Sequence, residues 1–452
     1  MKFTAEILSI PLPEDILRAQ MSGDISLCER LIEARISSER TSPMMKQRLE
    51  AEKVQMGRRL RRYPYTRETL IEKVRARVPD FTGEELDKLE QDGCVDAITV
   101  NGEKRYVSCC PGTLFKMSAS LRARDTQAPD PDDGADTGAF MKELKEKKTV
   151  AYRIGIKSSL KIEDEFFKKG KWTVHIPVAA VSAQQSEVTV KTDGTVSATR
   201  AEQRTACFTR YMEENTPFEA EIHYTSRIKY VDPMHDEPRI VYPGEPELCE
   251  DDLGESAPHI AFTPYLRSLA EYIAGDETRP LYLAKRIYDY ITLNVRYSFM
   301  RSYNLIENHA EYTAVNMKGD CGLQALLFIT LCRIMGIPAR WQSGLTVNKF
   351  TTGDHDWAQF WTEEFGWLFA DPSYGGGAHR NGNEEKREFY FGNLDPFRMV
   401  ANRRYMGEFD PKKAGTRADM GDSQDGEVEM DGEGLDFNAF DKTDTTIEFR
   451  KM

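Results

Sequence analysis

Three residue types that together can break an amide bond stand in order within fifty-one positions of this chain. Cys321 lies in Lys318-Gly319-Asp320-Cys321-Gly322-Leu323, at the mouth of an almost wholly apolar run. His355 follows in Asp354-His355-Asp356-Trp357, and Asp371 in Trp367-Leu368-Phe369-Ala370-Asp371-Pro372. A thiol supplies a nucleophile, an imidazole the base that takes its proton, and a carboxylate the group that orients the imidazole. The thiolate is the attacking species, so such a cysteine gains from a lowered pKa, which the free N–H groups of a helix N-terminus provide. Asp320, directly beside the thiol, acts in the opposite direction.

The elements that must position these groups are legible around them. Gly319 permits a tight turn, Asp320 can cap, and a helix is expected from about Cys321 to Met335. Gly336 and Pro338 then supply a C-terminal stop. Almost every face of that helix is apolar, which predicts a central, buried element with only its N-terminal tip open. His355–Trp361 and Phe365–Asp371 read as two antiparallel strands. A hairpin turning at Glu363 sets Trp361 opposite Phe365, Trp357 opposite Phe369 and His355 opposite Asp371. Period-two alternation then places His355, Trp357, Gln359, Trp361, Trp367, Phe369 and Asp371 on one face. An oxyanion hole would use the backbone N–H of Cys321 and one further donor, for which Asn316, Tyr312 and Tyr297 are candidates. The sequence does not choose among them.

A chain of 452 residues is too long for a single core. Residues 1–123 read as a mostly helical domain, with Thr66 and Thr82 as helix caps and a hairpin turning at Asn101-Gly102. Two short helices and that hairpin suggest a small winged-helix-like unit. The nearby Arg58, Arg59, Arg61 and Arg62 read as a solvated helix face. Residues 124–146 are expected to be an acidic linker, because 125–138 lack large apolar side chains and cannot repay the entropy of ordering. Residues 147–250 switch to period two and predict an antiparallel β-sandwich, with a hairpin at Thr192-Asp193-Gly194-Thr195. His175 and His223 there read as ordinary strand residues. Residues 251–409 return to helices, then the three reactive groups, then a glycine-rich loop at Gly375-Gly376-Gly377. Residues 410–452 are expected to be an acidic tail: between Asp419 and Asp436 there are eight carboxylates and no Lys or Arg, a solvated composition. Neither Gly426 nor Gly432 has the acidic spacing of an EF-hand.

A net charge of −13 argues against nucleic-acid binding. No apolar run approaches the roughly 18 residues of a membrane helix, and the N-terminus has no secretory apolar core, so the chain as given reads as cytoplasmic. The eight cysteines form no CxxC pair, which predicts free thiols with no disulfide framework and no zinc site. Neither metal nor cofactor is expected.

Taken together, Lys318-Gly319-Asp320-Cys321-Gly322, Leu331-Cys332-Arg333-Ile334-Met335-Gly336-Ile337-Pro338-Ala339-Arg340, His355-Asp356-Trp357 and Trp367 to Pro372 resemble the core of the transglutaminase-like superfamily. The resemblance covers about residues 258–375. It implies an α+β, papain-like fold in which a central helix packs on a sheet or barrel, with Cys321, His355 and Asp371 as nucleophile, general base and orienting acid. The order of helical region, sandwich and core also resembles larger bacterial members. Such chemistry is acyl transfer through a thioester. Hydrolysis of peptide or related amide bonds is the expected outcome, on a peptide or protein substrate. A protein-glutamine transglutaminase is the first alternative, with Trp341, Trp357, Trp361 and Trp367 either lining a dry acceptor channel or filling the core. The second is a catalytically inert protein-interaction module.

Overall fold

The structure, a computed structural model, describes residues 7–8, 10–127, 137–245 and 248–452. The chain divides into two compact units, one of residues 1–130 with 298–306, the other of 131–297 with 307–452.

The first unit holds helices α1 (Glu14–Ser22), α2 (Ile25–Ser37), α3 (Pro43–Arg62), α4 (Arg67–Arg75) and α5 (Gly83–Gln91). The hairpin β1 (Ala97–Val100) and β2 (Glu103–Tyr106) follows, then α6 (Cys110–Met117) and α7 (Ala119–Arg124). Thr66 and Thr82 cap α4 and α5 as expected. Asn101 and Gly102 take positive φ at the turn. Ile16, Cys28, Ile32, Leu49 and Met56 pack together across α1–α3. A second cluster joins Leu70, Val74, Leu86, Tyr106 and Leu114. Arg58 is buried, so the basic run is not simply a solvated face.

In the second unit α8 (Thr137–Lys147) opens the chain. It occupies the second half of the expected linker, while residues 128–136 lie outside the described residues. Phe140, Met141 and Leu144 are the reason: all three are buried, and Phe140 packs on the rings of Phe389 and Phe397. Strands β3 (Thr149–Ile162), β4 (Gly170–Pro177), β5 (Gln185–Lys191), β6 (Thr195–Val196), β7 (Thr205–Met212) and β8 (Phe218–Lys229) follow. The Thr192–Thr195 turn is not a hairpin. β5 pairs with β8 and β6 with β7, so the chain there passes from one sheet to the other.

Next come α9 (Pro264–Ala274), α10 (Pro280–Asn294), β9 (Arg296–Tyr297), α11 (His309–Asn316), β10 (Lys318–Gly319) and α12 (Cys321–Ile334). Strands β11 (Ala339–Val347), β12 (Thr352–Thr362) and β13 (Gly366–Ala370) lead to α13 (Pro372–Arg380) and α14 (Glu384–Phe389), then β14 (Phe391–Gly392) and β15 (Arg398–Asn402). These strands form one antiparallel sheet in the order β14-β13-β12-β11-β15, and α12 lies on β12. With an all-antiparallel main sheet and helices set against it, the fold is α+β. The expected glycine-rich loop is instead helical. Gly375 sits in α13 where any Cβ would meet the Tyr288 hydroxyl at 2.0 Å, so glycine lets α13 approach α10.

The expected acidic tail is not a tail. Strands β16 (Glu427–Met430), β17 (Glu433–Gly434) and β18 (Phe440–Lys451) complete the sandwich, whose sheets run β17-β16-β4-β7-β6 and β18-β3-β8-β5. β18 pairs along β3 from Phe440 opposite Ile162 to Lys451 opposite Tyr152. Backbone hydrogen bonds form this ladder whatever the side chains carry, and the carboxylates find partners. Glu427 and Glu429 flank Lys413 at 3.5 and 3.0 Å, and Glu427 accepts the backbone N–H groups of Ala418 and Asp419. The sandwich core continues into the main sheet through Leu345, Val347, Met399 and Ala401. His175 is buried there, its ring nitrogen 2.9 Å from the Thr205 hydroxyl, with its pKa lowered to about 4 chiefly by burial. His223 is half-buried between Glu221 and Glu448. Among the described residues, no helix is long and apolar enough to cross a membrane.

Candidate functional site

The site begins with α12. Gly322 to Arg333 are all buried, as the nearly all-round apolar surface of the helix requires, and the helix presents its N-terminal tip. Asp320 caps it by accepting the Leu323 N–H at 3.1 Å. A Cβ at Gly319 would sit 2.8 Å from Leu323 Cβ, so glycine is needed where the chain turns in. Gly336, at φ +75°, ends the helix where the sequence placed the stop.

His355 and Asp371 come together, though not by the expected register. β12 and β13 pair Trp361 with Trp367 and Gln359 with Phe369, turning through Glu363, Glu364 and Phe365. The shift preserves parity, so the predicted face survives while His355 lies diagonal to Asp371 instead of opposite it. The side chains close the gap: His355 Nε2 is 2.7 Å from Asp371 Oδ2, both residues buried. Asp371 also caps α13, its Oδ1 accepting the Tyr374 N–H at 2.9 Å. Arg398 Nη1 lies 2.8 Å from Asp371 Oδ2, and Arg398 is itself tied to Asp395 at 2.7 Å. Burial alone would raise the Asp371 pKa; the His355 and Arg398 charges outweigh it and hold the carboxyl down to about 2. An ionised Asp371 accepts at Nε2, which leaves Nδ1 as the nitrogen free to take a proton. The Tyr374 ring lies 4.3 Å from the imidazole, centroid to centroid.

The nucleophile end differs from expectation. Cys321 keeps part of its surface accessible, but its sulfur is 3.4 Å from Asp356 Oδ2, and the thiol hydrogen bond goes there and not to His355. Burial first, then Asp356 and Asp320, push the thiol pKa up; the backbone N–H of Asp356 pulls the other way and does not prevail. The direction is therefore opposite to the helix-tip lowering read from the sequence, because burial and then two carboxylates act on the sulfur. Asp356 in turn is raised by burial, then Asp422 and Asp320.

Of the three oxyanion candidates, Tyr297 lies near the thiol. β9 pairs with β10, placing Tyr297 against Gly319, and its hydroxyl is pushed well above the usual tyrosine range by burial, then by Cys321 and Asp320. Asn316 is exposed and donates to the Tyr312 carbonyl at 2.8 Å within α11. Trp341, Trp357 and Trp367 are buried, Trp357 donating to Gln342 at 2.8 Å and Trp367 lying under Arg340. They fill the core.

Sequence reasoning missed Asp356, Arg398, Tyr374 and Gln424. Asp356 adjoins His355, and strand alternation alone would have flagged it as the residue facing the opposite side. Gln424 lies in the segment read as solvated, yet its Nε2 is 2.8 Å from Asp356 Oδ1, 2.9 Å from the His355 carbonyl and 3.0 Å from that of Gly344. No local signal points to it.

No curated protein matches the chain. Among solved structures it is similar to a "putative cysteine protease" from Cytophaga hutchinsonii, at 15% identity over 67% of this chain and 90% of that one, with a TM-score of 0.39. It is also similar to the periplasmic domain of TgpA from Pseudomonas aeruginosa, at 15% identity over 55% and 95%, with a TM-score of 0.29. The family model described as the Transglutaminase-like superfamily matches residues 267–372, a span that contains Cys321, His355 and Asp371. Over those residues, the chain carries a domain of the transglutaminase-like superfamily.

Proposed function

We propose that this chain is a thiol hydrolase of peptide or related amide bonds, with Cys321 as nucleophile, His355 as general base and acid, and Asp371 as orienting group. The observation that carries the reading is the buried His355–Asp371 pair at 2.7 Å, its carboxyl held down by His355 and Arg398, inside a domain similar to a family of thiol enzymes. Cys321 Sγ attacks the amide carbonyl as its proton passes to His355 Nδ1. The oxyanion sits against the backbone N–H of Cys321 and the Tyr297 hydroxyl. The nitrogen leaves with the proton from Nδ1, and a thioester remains on Cys321. His355 then takes a proton from water, which attacks the thioester and frees the acid. In this reading His355 acts as a base on attack, taking the thiol proton as the S–C bond forms, because burial first and then Asp356 and Asp320 raise the thiol pKa.

Water is the acceptor in this reading because Trp341, Trp357 and Trp367 are committed to the core instead of an amine channel. The test is incubation with a peptide library, with and without added primary amine, read by mass spectrometry. Cleavage products that vanish in Cys321→Ala support hydrolysis; amine adducts would make it a transferase; neither product would leave an interaction module.

A further inference from the structure

The thiol's partner opens a question the reaction scheme does not answer. In the described structure Cys321 Sγ meets Asp356 Oδ2 at 3.4 Å, while the other carboxylate oxygen, Oδ1, accepts Gln424 Nε2 at 2.8 Å. Gln424 is fixed independently by the carbonyls of His355 and Gly344, so it ties β11 and β12 together and sets the angle of the Asp356 carboxylate. Behind it, Asp422 is anchored to the Ser343 hydroxyl at 2.5 Å. None of these hydrogen bonds involves the His355 ring; Gln424 holds one oxygen of the Asp356 carboxylate while the other meets the sulfur.

We propose that Asp356, oriented by Gln424 from the returning C-terminal segment, is a positioning residue that holds Cys321 as a neutral thiol until substrate arrives. The inference rests on Cys321 being the nucleophile. Its physical content is a shared titration. The groups facing the sulfur are Asp320 from the start of α12, Asp356 from β12, Tyr297 from β9 and Tyr374 from α13. Asp422 and Asp419 face Asp356 from the C-terminal segment. Carboxyl and thiol are both pushed up, first by burial and then by the carboxylates around them, so the last proton to leave belongs to the pair and not to the sulfur alone. A resting thiol resists oxidation and adventitious alkylation, both of which need thiolate. On substrate binding, the proton moves from Sγ to His355 Nδ1 as the S–C bond forms, and Asp356 keeps its own protonation state throughout.

Asp356→Asn tests this. With Gln424 donating to the side-chain oxygen, the amide nitrogen would face the sulfur, replacing an acceptor by a donor at the same place. The measurement is the rate of iodoacetamide alkylation of Cys321 against pH, read on the Cys321 peptide by mass spectrometry, without substrate. In the wild type the profile should have its midpoint above that of a free thiol, about 8.5. In Asp356→Asn it should move to lower pH, with the rate at pH 7 rising about tenfold for each unit of the shift. Asp356→Ser, which removes the charge without adding a strong donor, should move it the same way by less. A wild-type midpoint below 7 overturns the inference whatever the variants do. So does an unchanged profile in either variant with a melting temperature near wild type. Full turnover in Cys321→Ala would sink the proposed function itself. Loss of turnover there, with an unmoved Asp356→Asn profile, sinks only the role of Asp356.

Discussion

Asp371 and Asp356 are both buried aspartates at the site, and they are opposites. Asp371 has Arg398 Nη1 at 2.8 Å and the imidazole at 2.7 Å, so it stays ionised to about pH 2. Asp356 has no cation among its strongest influences; it faces Asp422 and Asp320, and its carboxyl is pushed up. Burial acts on both in the same direction and to a similar degree. What separates them is the His355 imidazole first and the Arg398 guanidinium second, the latter held by Asp395 and by the aromatic rings of Trp357 and Tyr374. The lesson is that the protein uses one residue type for two purposes by choosing what faces it: a charge paired with cations where an imidazole must be oriented, an acceptor without a cation where a thiol must wait.

The largest expected effects lie at the reacting atoms. Cys321→Ala should abolish turnover, and His355→Ala should cost roughly 10⁴-fold or more in kcat, with non-additive loss in the double variant. Asp371→Asn should be milder, on the order of 10²- to 10⁴-fold, because it upsets the imidazole tautomer without exchanging the proton. Turnover of any peptide found in the library screen measures all three, with melting temperature as the control. Full activity in folded Asp371→Asn would dissolve the contrast between the two aspartates. Removing the guanidinium attacks the same contrast from the other side. Arg398→Met leaves Asp371 and Asp395 buried without their cation and should destabilise the protein by about 3–5 kcal/mol, measured by denaturant unfolding.

The next effect is a pH dependence with two signs. Asp371 is depressed, so its stabilisation is complete above the unfolded pKa near 3.9 and is lost as pH falls toward 2, a change of roughly 2 kcal/mol. Asp422 is raised to about 7 by burial and then by Asp419. The folded state therefore binds its proton more tightly than the unfolded one, and stability falls as pH rises from about 4 to about 7. Asp422→Asn should accordingly raise the melting temperature at pH 8 and change little near pH 4, where the native carboxyl is already neutral. A gain that is equal at both pH values would show that the carboxyl's charge is not what costs stability.

How much of this was legible depends on whether the information is local. The α12 stop at Gly336, the caps at Thr66 and Thr82, and the face shared by His355 and Asp371 all follow from periodicity and capping, which neighbouring residues determine. The β12–β13 register did not, because whether the chain turns at Glu363 or one residue later is a matter of tertiary packing. Only parity was protected, and parity sufficed to put imidazole and carboxylate on one face. Composition misled at the C-terminus. Charge density there signals solvation only while the carboxylates lack partners, and Lys413, Lys442 and backbone N–H groups provide them from contacts the sequence does not display. Gln424 and Asp356 lie sixty-eight residues apart, so no window along the chain could have joined them.

The smallest effect separates the two carboxylates that face the sulfur. Asp320 is the helix cap, and its Oδ1 accepts the Leu323 N–H. Asn caps as well as Asp, so Asp320→Asn should alter stability by only a few tenths of a kcal/mol, the part due to charge at the helix N-terminus. Burial and Asp356 stand ahead of Asp320 among the causes that raise the thiol, and the cap is spent on the backbone while Asp356 hydrogen-bonds the sulfur directly. Asp320→Asn should therefore shift the alkylation profile of Cys321 to lower pH by less than Asp356→Asn does. The double variant should fall short of the sum, since Asp320 also acts on Asp356 and part of its influence on the thiol passes through that carboxyl. An Asp320→Asn shift equal to or larger than that of Asp356→Asn would make the thiol's environment a property of the helix cap, and the hydrogen bond to Asp356 incidental.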